Sequence, residues 1–278
     1  MSAAQTLSII ACGKVGQTLA RLWVQSQTIQ LQDILNTSVE SGSRAATFIG
    51  AGRVARDYAD LQAADIFLIG APDDQIAACC AALAASGRLS AQSIVFHCSG
   101  ALSASILTSA SLQGAAVASI HPIRSFAVPE QVVTSFAGTY CGIEGEQRAL
   151  EVLKPLFVAI GAQTVEIESS AKVLYHAGAV FASNYLVTLL DTAVQSYGQA
   201  GIAQDVALKM MASLVRETTE NVLRIGPEQA LTGPIARNDI ATVIRQYRAV
   251  NEWDTRYGKL YKQMGKLTAQ LARRRNKK

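Results

Sequence analysis

Along the first 168 residues, short apolar runs alternate with longer stretches in which apolar positions return every three or four residues. The runs are LSIIACG (7–13), QDILNTS (32–38), a weak GRVARD (52–57), ADIFLIGAPDD (64–74), QSIVFHCSG (92–100) and AAVASIHP (115–122). Their length, their Ile, Val and Phe content and their closing Gly, Pro, Asn or Asp residues predict buried strands. KVGQTLARLWVQ, SGSRAATFIG, QIAACCAALAAS and LSASILTSA, between them, predict helices. Apolar strands alternating with helices make a doubly wound, mostly parallel sheet covered on both faces. TYCGIEG (139–145) and AQTVEIE (162–168), flanking a helix through EQRALEVLKPLFVAIG, extend that sheet.

After residue 168 the period changes. SAKVLYHAGAVFASNYLVTLLDTAVQSYGQAG is apolar at helical spacing and far too long for a strand, with Gly201 placed as a stop. AQDVALKMMASLVRETTENVLRIG predicts another helix, and the chain after LTGP one or two more. The expected fold class is therefore α/β: an N-terminal sheet domain over 1–167 and an all-α domain over 168–278, with the boundary near Glu166 to Ser169.

Composition narrows the function. Hydrophobic residues make up 50% of the chain, enough for a sizeable core. The net charge of +4 comes from the tail, where Arg273, Arg274, Arg275, Lys277 and Lys278 crowd together. Without them basic and acidic residues nearly balance, so no nucleic-acid partner is expected, and the tail reads as a solvated end. Cys12, Cys79, Cys80, Cys98 and Cys141 show no metal-ligand spacing, so no metal is expected. No signal peptide is evident, and no window is read as the roughly 20 uncharged apolar residues of a membrane span. A cytoplasmic protein is expected.

IIACGKVG ends the first strand and opens a helix. Aligned to G-x-G-x-x-G it places Ala11, Gly13 and Gly16, with Lys14 and Val15 between the glycines. Such a turn lets a pyrophosphate approach the backbone at a helix N-terminus, which attracts anions. The second strand ends in Asn36, Thr37 and Ser38, with Arg44 in the next helix. Neutral donors and an arginine suit a 2′-phosphate, so NADP is favoured over NAD; Asp33, the nearest acid, lies too early. Ala71 and Pro72, ending the fourth strand, would let the cofactor lie close to the backbone, with Asp73 or Asp74 as N-cap.

The chain has three histidines. His97 and His121 end the fifth and sixth strands, at the sheet edge where ligands of such folds bind. Ser99, on the cofactor side, and Gly100, on the substrate side, would line the same floor. The plainer alternative for each histidine is a ring satisfied by backbone hydrogen bonds beneath the cleft. At about 100° per residue, Lys172, His176 and Ser183 share a roughly 40° helical stripe, and Asn184 lies about 100° away. A cleft between the domains would explain a lysine and a histidine on an apolar helix, with Lys172 as acid/base and His121 and His176 on the substrate oxygen. ALTGPIARND (230–239) predicts a tight turn into a helix, with Thr232 or Gly233 near the N-cap and Pro234 in the first turn. That helix terminus and Arg237 could hold a substrate anion.

HCSGALS, SIHPIRSF, KVLYHAGAVFASNYLV and LTGPIARND, in this order behind the glycine turn, resemble the Rossmann-like proteins with a C-terminal domain of unknown function 2520. That family is similar to the β-hydroxyacid dehydrogenase, ketopantoate reductase and pyrroline-5-carboxylate reductase group. The resemblance implies a Rossmann domain, a helical domain like the C-terminal one of 6-phosphogluconate dehydrogenase, homodimerisation through that domain, and NADP-dependent oxidoreductase activity. Lys172 matches the catalytic lysine of β-hydroxyacid dehydrogenases, but their asparagine four residues later is His176 here. His121–Pro122 also resembles the histidine–proline motif of prephenate dehydrogenases, without the rest of that pattern.

The function expected is hydride transfer between NADP and a small oxo, hydroxy or imino acid in the interdomain cleft. A non-catalytic NADP-binding sensor or scaffold and a prephenate- or arogenate-dehydrogenase-like enzyme are the alternatives.

Overall fold

The computed structural model describes residues 5–275. Of the basic tail, Lys277 and Lys278 lie outside the described residues. The strands are β1 (Gln5–Ile10), β2 (Ile29–Leu35), β3 (Arg53–Ala55), β4 (Ile66–Ile69), β5 (Ile94–His97), β6 (Ala116–Pro122), β7 (Tyr140–Gly145) and β8 (Gln163–Glu166). They form one sheet in the order β3-β2-β1-β4-β5-β6-β7-β8. All neighbours are parallel except β6 and β7, which pair antiparallel with His121 opposite Gly142. The order reverses between β1 and β4, which makes the switch point at which such sheets bind ligands.

The first helices are α1 (Lys14–Gln25), α2 (Val39–Ile49), α3 (Ile76–Ala85), the single turn α4 (Thr108–Ser111), α5 (Pro129–Ser135) and α6 (Gln147–Ala159). Two apolar clusters cover the sheet. One centres on Trp23, Phe96 and Phe157, whose rings meet edge-on with centroids 5.2–6.4 Å apart. The Trp23 indole N–H donates to the Leu156 carbonyl at 2.9 Å, so α1 is fixed to α6 by shape and by a hydrogen bond. The other cluster holds Phe67, Ile69, Val95, Leu83 and Leu107. Near-complete burial on both faces is why the central strands β1, β4, β5 and β6 read as continuous apolar runs, while the edge strands β3 and β8 are more exposed. The sequence pattern did not reveal α5, a short helix with Pro129 in its first turn.

Cα packing divides the chain into one compact unit up to Val180 and a second from Phe181. The expected long helix is two, α7 (Lys172–Ala182) and α8 (Asn184–Gln199), broken at Ser183, which has φ −121° and ψ −71°. By length and composition, Ser169–Gln199 is apolar enough to cross a membrane, an 18-residue window within it having mean hydropathy 1.4. This corrects the expectation that no such window exists: no charged residue falls between Lys172 and Asp191. The rest of the second unit is helical: α9 (Gln204–Ile225), the short α10 (Pro227–Ala230), α11 (Ile240–Trp253) and α12 (Thr255–Arg275).

The segment 231–239 departs from expectation. Residues 234–238 form turns, in which Arg237 N–H donates to Gly233 O and Asp239 N–H to Pro234 O. The helix starts only at Ile240, and its N-cap is Asp239, whose carboxylate accepts from Thr242 N–H at 3.1 Å. An aspartate caps this terminus, so the anion site expected at Pro234 does not form there. Arg237 is exposed in the second unit, as are Ser183 and Asn184.

Candidate functional site

The glycine turn between β1 and α1 is held from below. Ala11 N–H donates to Leu35 O at 2.7 Å, and Cys12 N–H to Asn36 Oδ1 at 2.6 Å. Asn36 therefore pins the turn as well as lining it. Ala11 takes φ +56°, the left-handed conformation that the first fingerprint position requires, at a cost a glycine would not carry. Gly70 at the end of β4 allows the turn to pack, since a Cβ there would lie 2.7 Å from Ala11 O. Gly13 is the N-cap of α1 with no side-chain cap, and a Cβ on it would meet only Gly70 O, at 3.9 Å. The first turn of α1 thus offers amides to a ligand that can come close to the backbone.

A cavity of about 750 Å³ opens over this turn, lined by Gly13, Asn36, Thr37, Ser41, Arg44, Gly70, Ala71 and Pro72 among others, with no carboxylate. Asp33 is fully buried, bonded to Arg53 Nε at 2.7 Å and to Gln62 N–H at 2.7 Å, so it is unavailable to a ribose. Ser38 caps α2, accepting from Ser41 N–H. Lys14 turns away, its Nζ donating to Ala127 O at 2.6 Å.

A second cavity, of about 190 Å³, is lined by Val15, Asp73, Ser99, Gly100, Arg124, His121 and His176, among others. The two cavities are lined by chain neighbours, Pro72 in the first and Asp73 in the second. Every lining residue of both belongs to the first unit.

The His121 and His176 rings meet edge-on, with centroids 5.5 Å apart. Gly100 makes room for both: a Cβ there would lie 2.3 Å from His176 Nδ1 and 2.9 Å from His121 Nε2. His121 Nδ1 is 2.9 Å from the Tyr175 hydroxyl. Burial, followed by the neighbouring His176 and Lys172, lowers the His121 pKa to about 4, against a smaller opposing pull from Asp73. His121 is therefore a neutral imidazole at pH 7. Arg124 is tied through its guanidinium to Ser135 and Thr139.

Ser99 lines this second cavity rather than the first. Its Oγ accepts from Ala101 N–H at 3.2 Å and Leu102 N–H at 3.0 Å. Both lone pairs are thereby used, and no acceptor among the described residues takes its hydrogen, so toward the cavity Ser99 acts as a donor.

Two predicted residues lie under the floor instead of in it. His97 is fully buried; its Nε2 donates to Ser103 O at 3.2 Å and its Nδ1 accepts from Ser99 N–H at 3.1 Å. Burial lowers its pKa to about 4. With both nitrogens taken by backbone, His97 shapes the 97–103 turn and does not reach a substrate. Lys172 is also buried: Nζ donates to Ser99 O at 3.0 Å and to Ser119 Oγ, and lies 3.7 Å from Glu144 Oε1. Burial pulls its pKa below the ordinary value, against the pull of Glu144. The expected acid/base role fails on access, because Lys172 fastens the floor to β6 and β7.

Glu144, Ser119 and Tyr175 were not picked out in the sequence. Glu144 accepts from Ala104 N–H and Ser169 Oγ–H, each at 2.7 Å. An acid inside the apolar run TYCGIEG and a serine inside AAVASIHP were the available signals, since buried polar groups require partners.

Two family models match the chain: the Rossmann-like domain over residues 2–122, and the domain of unknown function DUF2520 over residues 139–268. The chain joins a Rossmann-like domain to a DUF2520 domain. His121 falls in the Rossmann-like match, and Glu144, Lys172, Tyr175 and His176 in the DUF2520 match, so the second cavity draws on both.

A crystal structure of a protein from Thermotoga maritima aligns at TM-score 0.78 and 25% identity, covering 97% of this chain and 99% of that one. A candidate NADP oxidoreductase from Bacteroides fragilis aligns at 0.77 and 17% identity, covering 96% and 98%. A pyrroline carboxylate reductase from Plasmodium falciparum with NADP bound aligns at 0.60 and 10% identity, covering 95% and 98%. At such identities the last two share the fold. No curated protein sequence matches the chain.

Proposed function

We propose that the chain is an NADP-dependent oxidoreductase that moves a hydride between the nicotinamide and a small oxo, hydroxy or imino acid. The observation that carries this reading is the adjacency of two cavities. One, over an uncapped helix start, has Arg44 and no carboxylate; the other holds two histidines. The fold shared with a pyrroline carboxylate reductase that binds NADP supports it.

In this reading the amides at Gly13 and the start of α1 meet the pyrophosphate, and Thr37, Ser41 and Arg44 meet the 2′-phosphate. The bound cofactor supplies or accepts the hydride. His121, neutral at pH 7, polarises the substrate's oxygen or nitrogen by a hydrogen bond, as does the Ser99 hydroxyl, and His176 borders the same space. Exposed apolar side chains on the helices, Leu174 at 78% in the first unit and Leu223 at 82% in the second, support the accompanying proposal of a homodimer.

The test is binding and turnover together. NADPH should bind at least about ten-fold more tightly than NADH, and Arg44→Ala should remove that preference, since an arginine–phosphate contact is charge-assisted. Oxidation of NADPH should then be screened with small keto and imino acids. Equal affinities for both cofactors would overturn the NADP assignment, and tight binding without turnover on any of them would favour a sensor.

A further inference from the structure

Tyr175 stands one residue before His176 on α7, and its hydroxyl touches His121 at Nδ1, whereas Gly100 lies against the Cε1–Nε2 edge of the ring. Its place is reserved by the sheet. Gly142 is the cross-strand partner of His121, and a Cβ on Gly142 would lie 2.4 Å from the Tyr175 hydroxyl oxygen. A side chain of any size there would push the phenol off the imidazole. One glycine, Gly100, thus clears the Cε1–Nε2 edge of His121, and another, Gly142, admits the tyrosine at Nδ1.

The direction of the hydrogen bond follows from acidity. A phenol O–H is a better donor than an imidazole N–H, and an imidazole nitrogen is a better acceptor than a phenol oxygen. Among the described residues, the phenolic hydrogen has no other acceptor. The hydroxyl therefore donates to Nδ1. A neutral imidazole that accepts at Nδ1 carries its hydrogen on Nε2, the nitrogen beside Gly100.

We infer that Tyr175 is a positioning residue that fixes His121 as a neutral imidazole with Nε2–H directed toward the histidine cavity. The cavity then presents a donor at that point, and the substrate group placed there must be an acceptor, a carbonyl oxygen or an imine nitrogen. An ammonium or a protonated iminium nitrogen at that point would meet a donor face on, so a cationic group would have to lie elsewhere in the cavity, toward Asp73. The consequence for the substrate rests on the oxidoreductase reading; the state of His121 does not.

The experiment is imidazole ¹⁵N NMR on the ligand-free full chain at pH 7, with His121 identified by loss of its signals in His121→Asn. The expected pattern is a protonated Nε2 and an unprotonated, hydrogen-bonded Nδ1. In Tyr175→Phe, checked for native circular dichroism, the Nδ1 and Nε2 shifts should move toward each other as the tautomers mix. Gly142→Ala, which displaces the phenol without removing it, should move them the same way. A wild-type His121 protonated on Nδ1, or shifts unchanged in Tyr175→Phe, would overturn the inference. In turnover assays with a substrate found as above, Tyr175→Phe should lower kcat about ten- to a hundred-fold at unchanged NADPH affinity, since an imidazole in the wrong tautomer loses its role. Correct NMR behaviour without turnover in the wild type would sink the oxidoreductase reading and leave Tyr175's role standing.

Discussion

Lys172 Nζ and Glu144 Oε1 lie 3.7 Å apart, and both side chains are almost wholly buried. Around them, Ser99 O, Ser119 Oγ, Ala104 N–H and Ser169 Oγ complete a polar knot between the 97–104 turn, β6, β7 and the start of α7. Buried charge of this kind is held by mutual pairing, and each member is costly alone.

Lys172→Met should therefore destabilise the protein by about 3–5 kcal/mol, because it strands the Glu144 carboxylate. Lys172→Met combined with Glu144→Gln should recover a large part of that loss. Urea unfolding of the two singles and the double closes the cycle. Strictly additive losses would mean that the two groups do not act as a pair.

Gly100→Ala should close the histidine cavity, because the added methyl would stand 2.3 Å from His176 Nδ1 and 2.9 Å from His121 Nε2. Under the proposed function, displacing the rings by about 1 Å should cost about 100-fold in kcat/KM. The cavity over the glycine turn does not include Gly100, so under the proposed function NADPH affinity measured by fluorescence should change by less than about two-fold, under about 0.5 kcal/mol. A large loss of cofactor affinity would mean that the two cavities are not separable in this way.

Ala11→Gly should stabilise the chain. Left-handed backbone at Ala11 costs about 1–2 kcal/mol. Glycine removes that strain but gives back about 0.5–1 kcal/mol through its freer unfolded state. A net gain of roughly 0.5–1 kcal/mol in chemical denaturation is expected, and a loss would show that the Ala11 methyl makes a contact worth more than the strain.

Stability should fall as the solution is acidified from pH 7 toward pH 4. The folded His97 pKa, about 4, is below its ordinary 6.5, so between these values the unfolded chain binds the extra proton. The stabilisation from neutral, buried His97 is complete above about 6.5 and is lost as the pH drops toward 4. For this fully buried ring it amounts to up to about 3 kcal/mol. The His97 ring protons, followed by NMR, should not titrate above pH 5; a midpoint near 6.5 would contradict the burial.

Much of the fold was legible because its signals are local. The strand runs, the helix KVGQTLARLWVQ and the glycine turn all follow from residue type and period, and α1 matches its expected bounds from Lys14 to Gln25. That Asn36, Thr37 and Arg44 would gather beside the glycine turn, where they line its cavity, was legible for the same reason: they sit at fixed places in a repeating strand–helix unit. His97 and His121 looked alike, each ending a strand at the same edge of the sheet. They differ because the backbone at Ser99 and Ser103 closes over one ring, while Gly100 leaves the other open. Lys172 and His176 looked like a pair on one helical stripe. Packing separates them, since a long side chain at Lys172 runs under the floor to Ser119 while the His176 ring stops at Gly100.

By itself the sequence determined what its periodicity and its special residues encode: a doubly wound sheet followed by helices, and a phosphate-type turn without an acid at the end of the second strand. Only the tertiary structure decided which polar groups face a cavity and which are buried in a knot. That choice depends on contacts between residues far apart in the chain, such as His121 with Tyr175 and Lys172 with Glu144, and on where glycines leave room, which no local pattern records.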